Sequence, residues 1–111
     1  MVKFPGVYVA IVTPFTKDFE VDYERLHEHV DWLIQEGVDG IIPTGSLGEY
    51  ATLTMEERAK VIETTIRAAA GRVPVVVGTA APSTKQVVQW AEFSREKGAA
   101  GVMALPPVNY L

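Results

Sequence analysis

The feature that most constrains this chain is a recurring joint between a helix and a strand. Gly37-Val38-Asp39-Gly40-Ile41 and Gly98-Ala99-Ala100-Gly101-Val102 share one Gly-x-x-Gly-apolar pattern. In each, the first glycine ends an apolar stripe at helical spacing and the second opens a short apolar run. The helix-ending glycines Gly37, Gly71 and Gly98 stand 34 and 27 positions apart, the size of one strand–helix unit. A chain built on such a repeat must form a parallel sheet, because each strand returns to the same end through a helix.

The segments between the joints agree. Residues 6–13 (GVYVAIVT) are apolar, β-branched and stopped by Pro14, which predicts a strand buried on both faces. Asp22 is the expected N-cap of a first helix, with Leu26, Val30, Leu33 and Ile34 as its apolar stripe. Residues 40–43 read as strand two. Thr54 and Glu57 have capping-box spacing, and Met55, Ala59, Ile62, Ile66 and Ala69 form the predicted apolar face of helix two, which Gly71 closes. Residues 73–78 read as strand three, with Pro74 near its start, where a missing donor costs least. Ser83 and Gln86 repeat the capping-box spacing ahead of a third helix that runs to about Lys97, and residues 101–105 (GVMAL) make strand four.

The order βαβαβαβ leaves two parallel architectures. A doubly wound sheet usually carries a phosphate loop after its first strand, but Thr13-Pro14-Phe15-Thr16 contains no glycine. A (β/α)8 TIM barrel takes eight units in about 250 residues and places its site at the C-terminal ends of the strands. The 111 residues hold four strands and three helices, close to half of that. The expected fold is α/β, the first four strands and three helices of a TIM barrel, with residues 1–111 as the N-terminal half of a single domain. A complete small α/β domain is the other reading.

Composition removes several function classes. Ten Lys+Arg against fourteen Asp+Glu give a net charge of −4, which does not suit a nucleic-acid platform. With no cysteine there is neither a disulfide scaffold nor a thiolate metal site. No apolar run approaches the ~18 residues of a membrane span, and residues 1–5 (MVKFP) do not resemble a signal peptide, so a cytoplasmic location is expected. His27 and His29 lie two apart on a helix and point to different faces, so no metal site is expected there. Asp18, Glu20 and Asp22 lack the glycine and terminal Glu of a calcium loop and read as a solvated turn. Trp32 and Trp90 read as packing residues.

Function in a parallel sheet concentrates in the loops after the strands. The second of these, Gly45-Ser46-Leu47-Gly48-Glu49, is the most informative. Its glycines let the backbone approach a ligand and turn N–H groups toward a small carboxylate or phosphate. The Ser46 hydroxyl can add a hydrogen bond or pass a proton. No lysine follows the second glycine, so this is not a Walker loop. A plain tight turn with left-handed glycines is the structural alternative.

Taken together, Val12-Thr13-Pro14-Phe15, Gly45-Ser46-Leu47-Gly48-Glu49, Ala51-Thr52-Leu53-Thr54, Glu56-Glu57-Arg58, Val76-Val77-Gly78 and Pro106-Pro107 resemble the dihydrodipicolinate synthase / N-acetylneuraminate lyase family over essentially the whole chain. The resemblance implies a (β/α)8 barrel, usually tetrameric. It also implies lyase chemistry on pyruvate or another 2-oxo acid through a Schiff base, with no metal or organic cofactor. By the same resemblance, Gly45, Ser46, Leu47 and Gly48 bind the substrate carboxylate and Ser46 joins a proton relay. Leu47 stands where threonine is commoner and offers only its backbone N–H. Family synthases commonly follow the strand-four proline with paired aromatics, one of them a relay tyrosine; here Pro107-Val108-Asn109 precedes Tyr110. Tyr110 is therefore the expected relay residue at the site mouth. The missing aromatic pair points away from a standard dihydrodipicolinate synthase and toward another aldolase or dehydratase branch.

The family lysine belongs on strand six. The lysines here are Lys3, Lys17, Lys60, Lys85 and Lys97, none of which ends a strand, and all five are expected to be solvated. Two other readings stand beside the lyase. One is a non-catalytic half-barrel that pairs its open edges with another chain, and the other is a phosphate-sugar binder using the same glycine loop.

Overall fold

A computed structural model describes residues 3–106. Four strands alternate with three helices: β1 (Tyr8–Ala10), α1 (Tyr23–Gln35), β2 (Gly40–Ile42), α2 (Met55–Ala69), β3 (Val76–Gly78), α3 (Thr84–Lys97) and β4 (Gly101–Met103), with a short 3-10 turn at Tyr50–Thr52. β1 pairs with β2 in parallel, Tyr8 opposite Gly40, and β3 pairs with β4 in parallel, Val76 opposite Gly101. A parallel bridge from Ile41 to Val75 joins the two pairs. It is reinforced by Ile41 N–H donating to Pro74 O at 3.1 Å and Gly78 N–H donating to Pro43 O at 3.0 Å. The spatial order is therefore 1-2-3-4, the sequential order of a barrel wall. A doubly wound sheet reverses direction at its switch point, and none of these strands does so. The strands are shorter than their apolar runs because the outer residues keep only single bonds, such as Ile11 N–H to Ile42 O and Thr79 N–H to Met103 O, both at 3.1 Å.

Strand alternation sorts the side chains. Val9, Ile11, Ile41, Val75 and Val77 join Leu26, Val30, Val61 and Ile62 in the core between sheet and helices. On the opposite face the Tyr8 ring lies over Gly40, leaving no room for a side chain there. Phe4 packs edge-to-face on Tyr8, with ring centroids 6.0 Å apart, and its ring also reaches Gly101 of β4. Residues that precede β1 thus run beneath the N-terminal ends of the strands.

The predicted caps form, with two differences. Asp22 accepts from Arg25 N–H at 3.0 Å, and the Thr54–Glu57 box is reciprocal, with bonds of 3.0 and 2.8 Å. At α3 Gln86 N–H donates to the Ser83 hydroxyl at 3.2 Å, and the Gln86 side-chain carbonyl accepts from that hydroxyl at 3.2 Å instead of from the Ser83 N–H. Helix α2 ends one residue before Gly71, at Ala70, which takes φ 50°. The Arg72 guanidinium donates to the carbonyls of Ala68 and Ala69 at 2.8 and 3.2 Å, the latter also accepting from Arg72 N–H at 2.9 Å, and it pairs with Asp31 of α1 at 2.9 Å. The apolar face of α2 also differs from expectation. Met55 is 61% exposed, whereas Arg58 is buried on the stripe it shares with Ile62 and Thr65. Trp90 is buried in the core cluster and Trp32 is 53% exposed. Among the described residues no helix is long and apolar enough to cross a membrane.

Two outcomes follow for stability. A Cβ at Gly78 would lie 2.5 Å from Thr44 O, whereas one at Gly45 meets nothing within 4 Å. Gly78→Ala is expected to cost about 1–3 kcal/mol as overpacking against backbone, and Gly45→Ala less than about 0.5 kcal/mol, as read in paired denaturant melts. Tyr23 has its hydroxyl held above the usual tyrosine range, first by burial and then by the nearby Glu57. The unfolded chain therefore ionises first, so the stability Tyr23 contributes is complete below the ordinary tyrosine range and is lost as pH rises through and above it. Tyr23→Phe should flatten that alkaline loss in melts taken from pH 9 upward.

Candidate functional site

The site lies at the C-terminal ends of β2 and β3, where the chain leaves the sheet. Pro43 closes the strand run and Thr44 follows in the left-handed region, with φ 57°. For a β-branched residue that conformation is an outlier costing on the order of 1–3 kcal/mol, and it persists only when neighbouring groups enforce it. Those groups are present. Thr44 is fully buried, and its hydroxyl lies 2.7 Å from Pro43 O and 2.9 Å from Gly78 O, so its single proton serves that pair of carbonyls. Gly78 must be glycine for β3 to come this close to Thr44.

The loop that follows carries the residues expected to bind a carboxylate. Gly45 and Gly48 do not take positive φ; the left-handed residues flank them, at Thr44 and Glu49 (φ 58°). The sharp bends therefore lie outside the Gly45–Gly48 stretch, contrary to a turn built on left-handed glycines. Gly48 is needed for space, since a Cβ there would stand 3.1 Å from Thr44 N and 3.3 Å from Ile11 O. Its carbonyl is held by the buried Thr13 hydroxyl at 2.7 Å, tying the loop to the end of the first strand segment. The carbonyls of Gly45 and Ser46 accept from Tyr50 N–H at 3.4 Å and Glu49 N–H at 3.0 Å. The N–H groups of Gly45, Ser46, Leu47 and Gly48 donate to no backbone carbonyl among the described residues. The Ser46 side chain is exposed beside them, and Leu47 is 64% exposed. The loop thus presents backbone N–H groups and the Ser46 hydroxyl at the mouth of the sheet with no partner among the described residues, an arrangement open to a small anion.

A cleft of about 410 Å³ adjoins the loop, with Ser46 on its wall, and is lined by Tyr50, Met55, Arg58, Gln86 and Trp90 among others. Arg58 is the buried charge of this region. Its guanidinium donates to Gly78 O at 3.0 Å and is sandwiched between the Tyr50 and Trp90 rings, 4.9 and 4.7 Å from their centroids. Burial pulls its pKa below the usual arginine range while Tyr50 pushes it up, and an arginine remains charged through such a shift. Its Nε and the buried Thr79 hydroxyl have no hydrogen-bond partner among the described residues.

Gly45, Ser46, Leu47 and Gly48, the residues expected to bind a carboxylate, are consecutive in the loop after β2. Tyr110 lies outside the described residues. Lys3, Lys17, Lys60, Lys85 and Lys97 are all exposed, with Lys60 over the Tyr23 ring at 4.3 Å and Lys97 paired with Glu63 at 3.3 Å. Sequence reasoning missed two residues. Arg58 could have been found as a lone arginine on the apolar stripe of α2. Thr44 carried no such signal, because nothing in Pro-Thr-Gly announces a positive φ.

Comparison with known proteins agrees with this geometry. The model of the dihydrodipicolinate synthetase family matches residues 3–110. The chain is 45% identical over 102 residues to 4-hydroxy-tetrahydrodipicolinate synthase of Methanococcus maripaludis, covering 92% of this chain and 35% of that protein. The crystal structure of the chloride-inhibited dihydrodipicolinate synthase from Acinetobacter baumannii complexed with pyruvate superposes with a TM-score of 0.91 at 38% identity, covering 95% of this chain and 36% of that one. N-acetylneuraminate lyase from Mycoplasma synoviae gives 0.91 at 32% identity, covering 97% and 38%. The chain spans about a third of the length of the proteins it matches, as those shares of 35%, 36% and 38% state. Its four strands in sequential order, its loop of free donors and these matches together establish that the chain belongs to the dihydrodipicolinate synthetase family and carries part of that family's (β/α)8 barrel.

Proposed function

We propose that the whole protein is a Schiff-base-forming lyase acting on pyruvate or another 2-oxo acid, and that this chain supplies its carboxylate-binding loop. The observation that carries the reading is the run of N–H groups at residues 45–48, Ser46 and Leu47 among them, that have no backbone partner among the described residues, beside the exposed Ser46. A neutral lysine amine adds to the 2-oxo carbonyl and water leaves, giving an imine. Holding the carboxylate at the loop fixes the adjacent carbonyl for that attack. Ser46 passes the proton that the addition and dehydration steps require, and Tyr110 is its proposed partner at the site mouth. The amine must be desolvated to be neutral near pH 7. All five lysines present are exposed, which supports a nucleophile outside positions 1–111. The protein is proposed to be a cytoplasmic homo-oligomer that uses neither a metal nor an organic cofactor.

A second reading is a non-catalytic half-barrel completed by another chain. Val102 and Met103 on β4, 43% and 42% exposed, are the edge that such a chain would cover. The two readings are separated by trapping with pyruvate and borohydride. In the whole protein the lyase reading predicts one covalent pyruvate-derived adduct, on a lysine outside residues 1–111. Ser46→Ala should slow its formation by roughly a hundredfold, the usual scale for losing a positioned proton donor. An adduct on Lys3, Lys17, Lys60, Lys85 or Lys97 would overturn the assignment of the nucleophile. Absence of any adduct would favour the non-catalytic reading.

A further inference from the structure

We infer that Thr44 and Arg58 are positioning residues that hold the Ser46 and Leu47 N–H pair in place through the Gly78 carbonyl. The inference rests on the carboxylate-loop reading. Thr44 is the hinge at which the chain turns from β2 into the loop, in a conformation that a β-branched residue does not hold unaided. The turn is clamped in both directions across to β3. Gly78 N–H donates to Pro43 O at 3.0 Å, and the Thr44 hydroxyl stands 2.9 Å from Gly78 O.

Arg58 completes the clamp from α2. It gives Gly78 O a charge-assisted hydrogen bond at 3.0 Å, beside the Thr44 hydroxyl whose proton Gly78 O shares with Pro43 O. The same guanidinium stacks on Tyr50, two residues after Gly48. Arg58 therefore grips the upstream end of the loop through Gly78 and Thr44, and the downstream end through Tyr50. Among the described residues it has no carboxylate partner within 4 Å; its fixed neighbours are a carbonyl and two rings. Only a planar, delocalised cation satisfies all three at once, so lysine is not an equivalent replacement.

The test uses the whole protein with pyruvate as the probe, and compares Thr44→Val, Thr44→Ser, Arg58→Lys and Arg58→Met. Thr44→Val and both Arg58 variants should raise KM for pyruvate about tenfold, the loss of one charge-assisted or enforced hydrogen bond, with kcat reduced less. Thr44→Ser keeps the hydroxyl and should stay near the parent KM. Backbone 15N order parameters of residues 45–48, taken without pyruvate, should fall in Thr44→Val and recover in Thr44→Ser. Unchanged order parameters, or a lower kcat at the parent KM, would overturn the inference and leave the carboxylate loop standing. If the unsubstituted protein traps no pyruvate while the order parameters fall as expected, the carboxylate reading fails and the mechanical clamp is retained. Should Arg58→Met not fold, Arg58→Lys and Thr44→Val decide the matter.

Discussion

The rest of the structure depends on the close approach of β2 and β3 where each leaves the sheet. Strands of three residues make few ladder bonds, and β2 and β3 share only an isolated bridge and the carbonyl–amide bonds around it. At their C-terminal ends the contact tightens until the Gly78 backbone touches that of Thr44, at a distance only glycine permits. That approach lets one carbonyl collect a hydroxyl and a guanidinium. It also forces the left-handed turn that lifts residues 45–48 clear of the sheet. Sheet order, loop geometry and the exposure of the Ser46 and Leu47 donors follow from this junction.

Its chemistry sets a trade. Arg58 is a cation removed from water without a carboxylate to balance it, which is costly in isolation. Two aromatic faces and a carbonyl offset part of that cost, and the flat guanidinium fits between the rings as a compact ammonium cannot. Thr44 adds backbone strain at the same point. A segment that only had to fold would use an apolar residue at 58 and a glycine at 44. Their presence marks a place where stability is spent on holding a particular loop shape.

Much of the fold was legible in the sequence because it is written in local chemistry. Asp22 and Thr54 announce their caps, Gly37 and Gly98 close their helices at φ 98° and 104°, and the apolar runs place every strand. The absence of a phosphate loop after the first strand pointed to a barrel instead of a doubly wound sheet, and the bridge between Ile41 and Val75 gives the sequential strand order that a barrel wall has. The loop residues Gly45 to Gly48 were legible because glycine spacing and a hydroxyl are visible in one dimension. What escaped is what depends on two segments meeting. The hydroxyl of Thr44 acquires its meaning from Gly78, 34 positions away, and the face of α2 that buries Arg58 is set by Trp90 and Tyr50. The exposure of Met55 has the same origin, since the first turn of α2 borders the cleft instead of the core.

The residues ahead of β1 do something of a different kind. Phe4 reaches Gly101 and Tyr8 covers Gly40, so the far end of the strand array is filled by rings from its own N-terminal segment, while Arg72 and Asp31 tie two helices on the outside of the sheet. Architecture and chemistry are thereby assigned to opposite ends of one sheet. Changes among Phe4, Tyr8 and Arg72 can alter how firmly the wall is held while leaving the loop of residues 45–48 untouched, so heat tolerance and the shape of that loop are free to evolve separately.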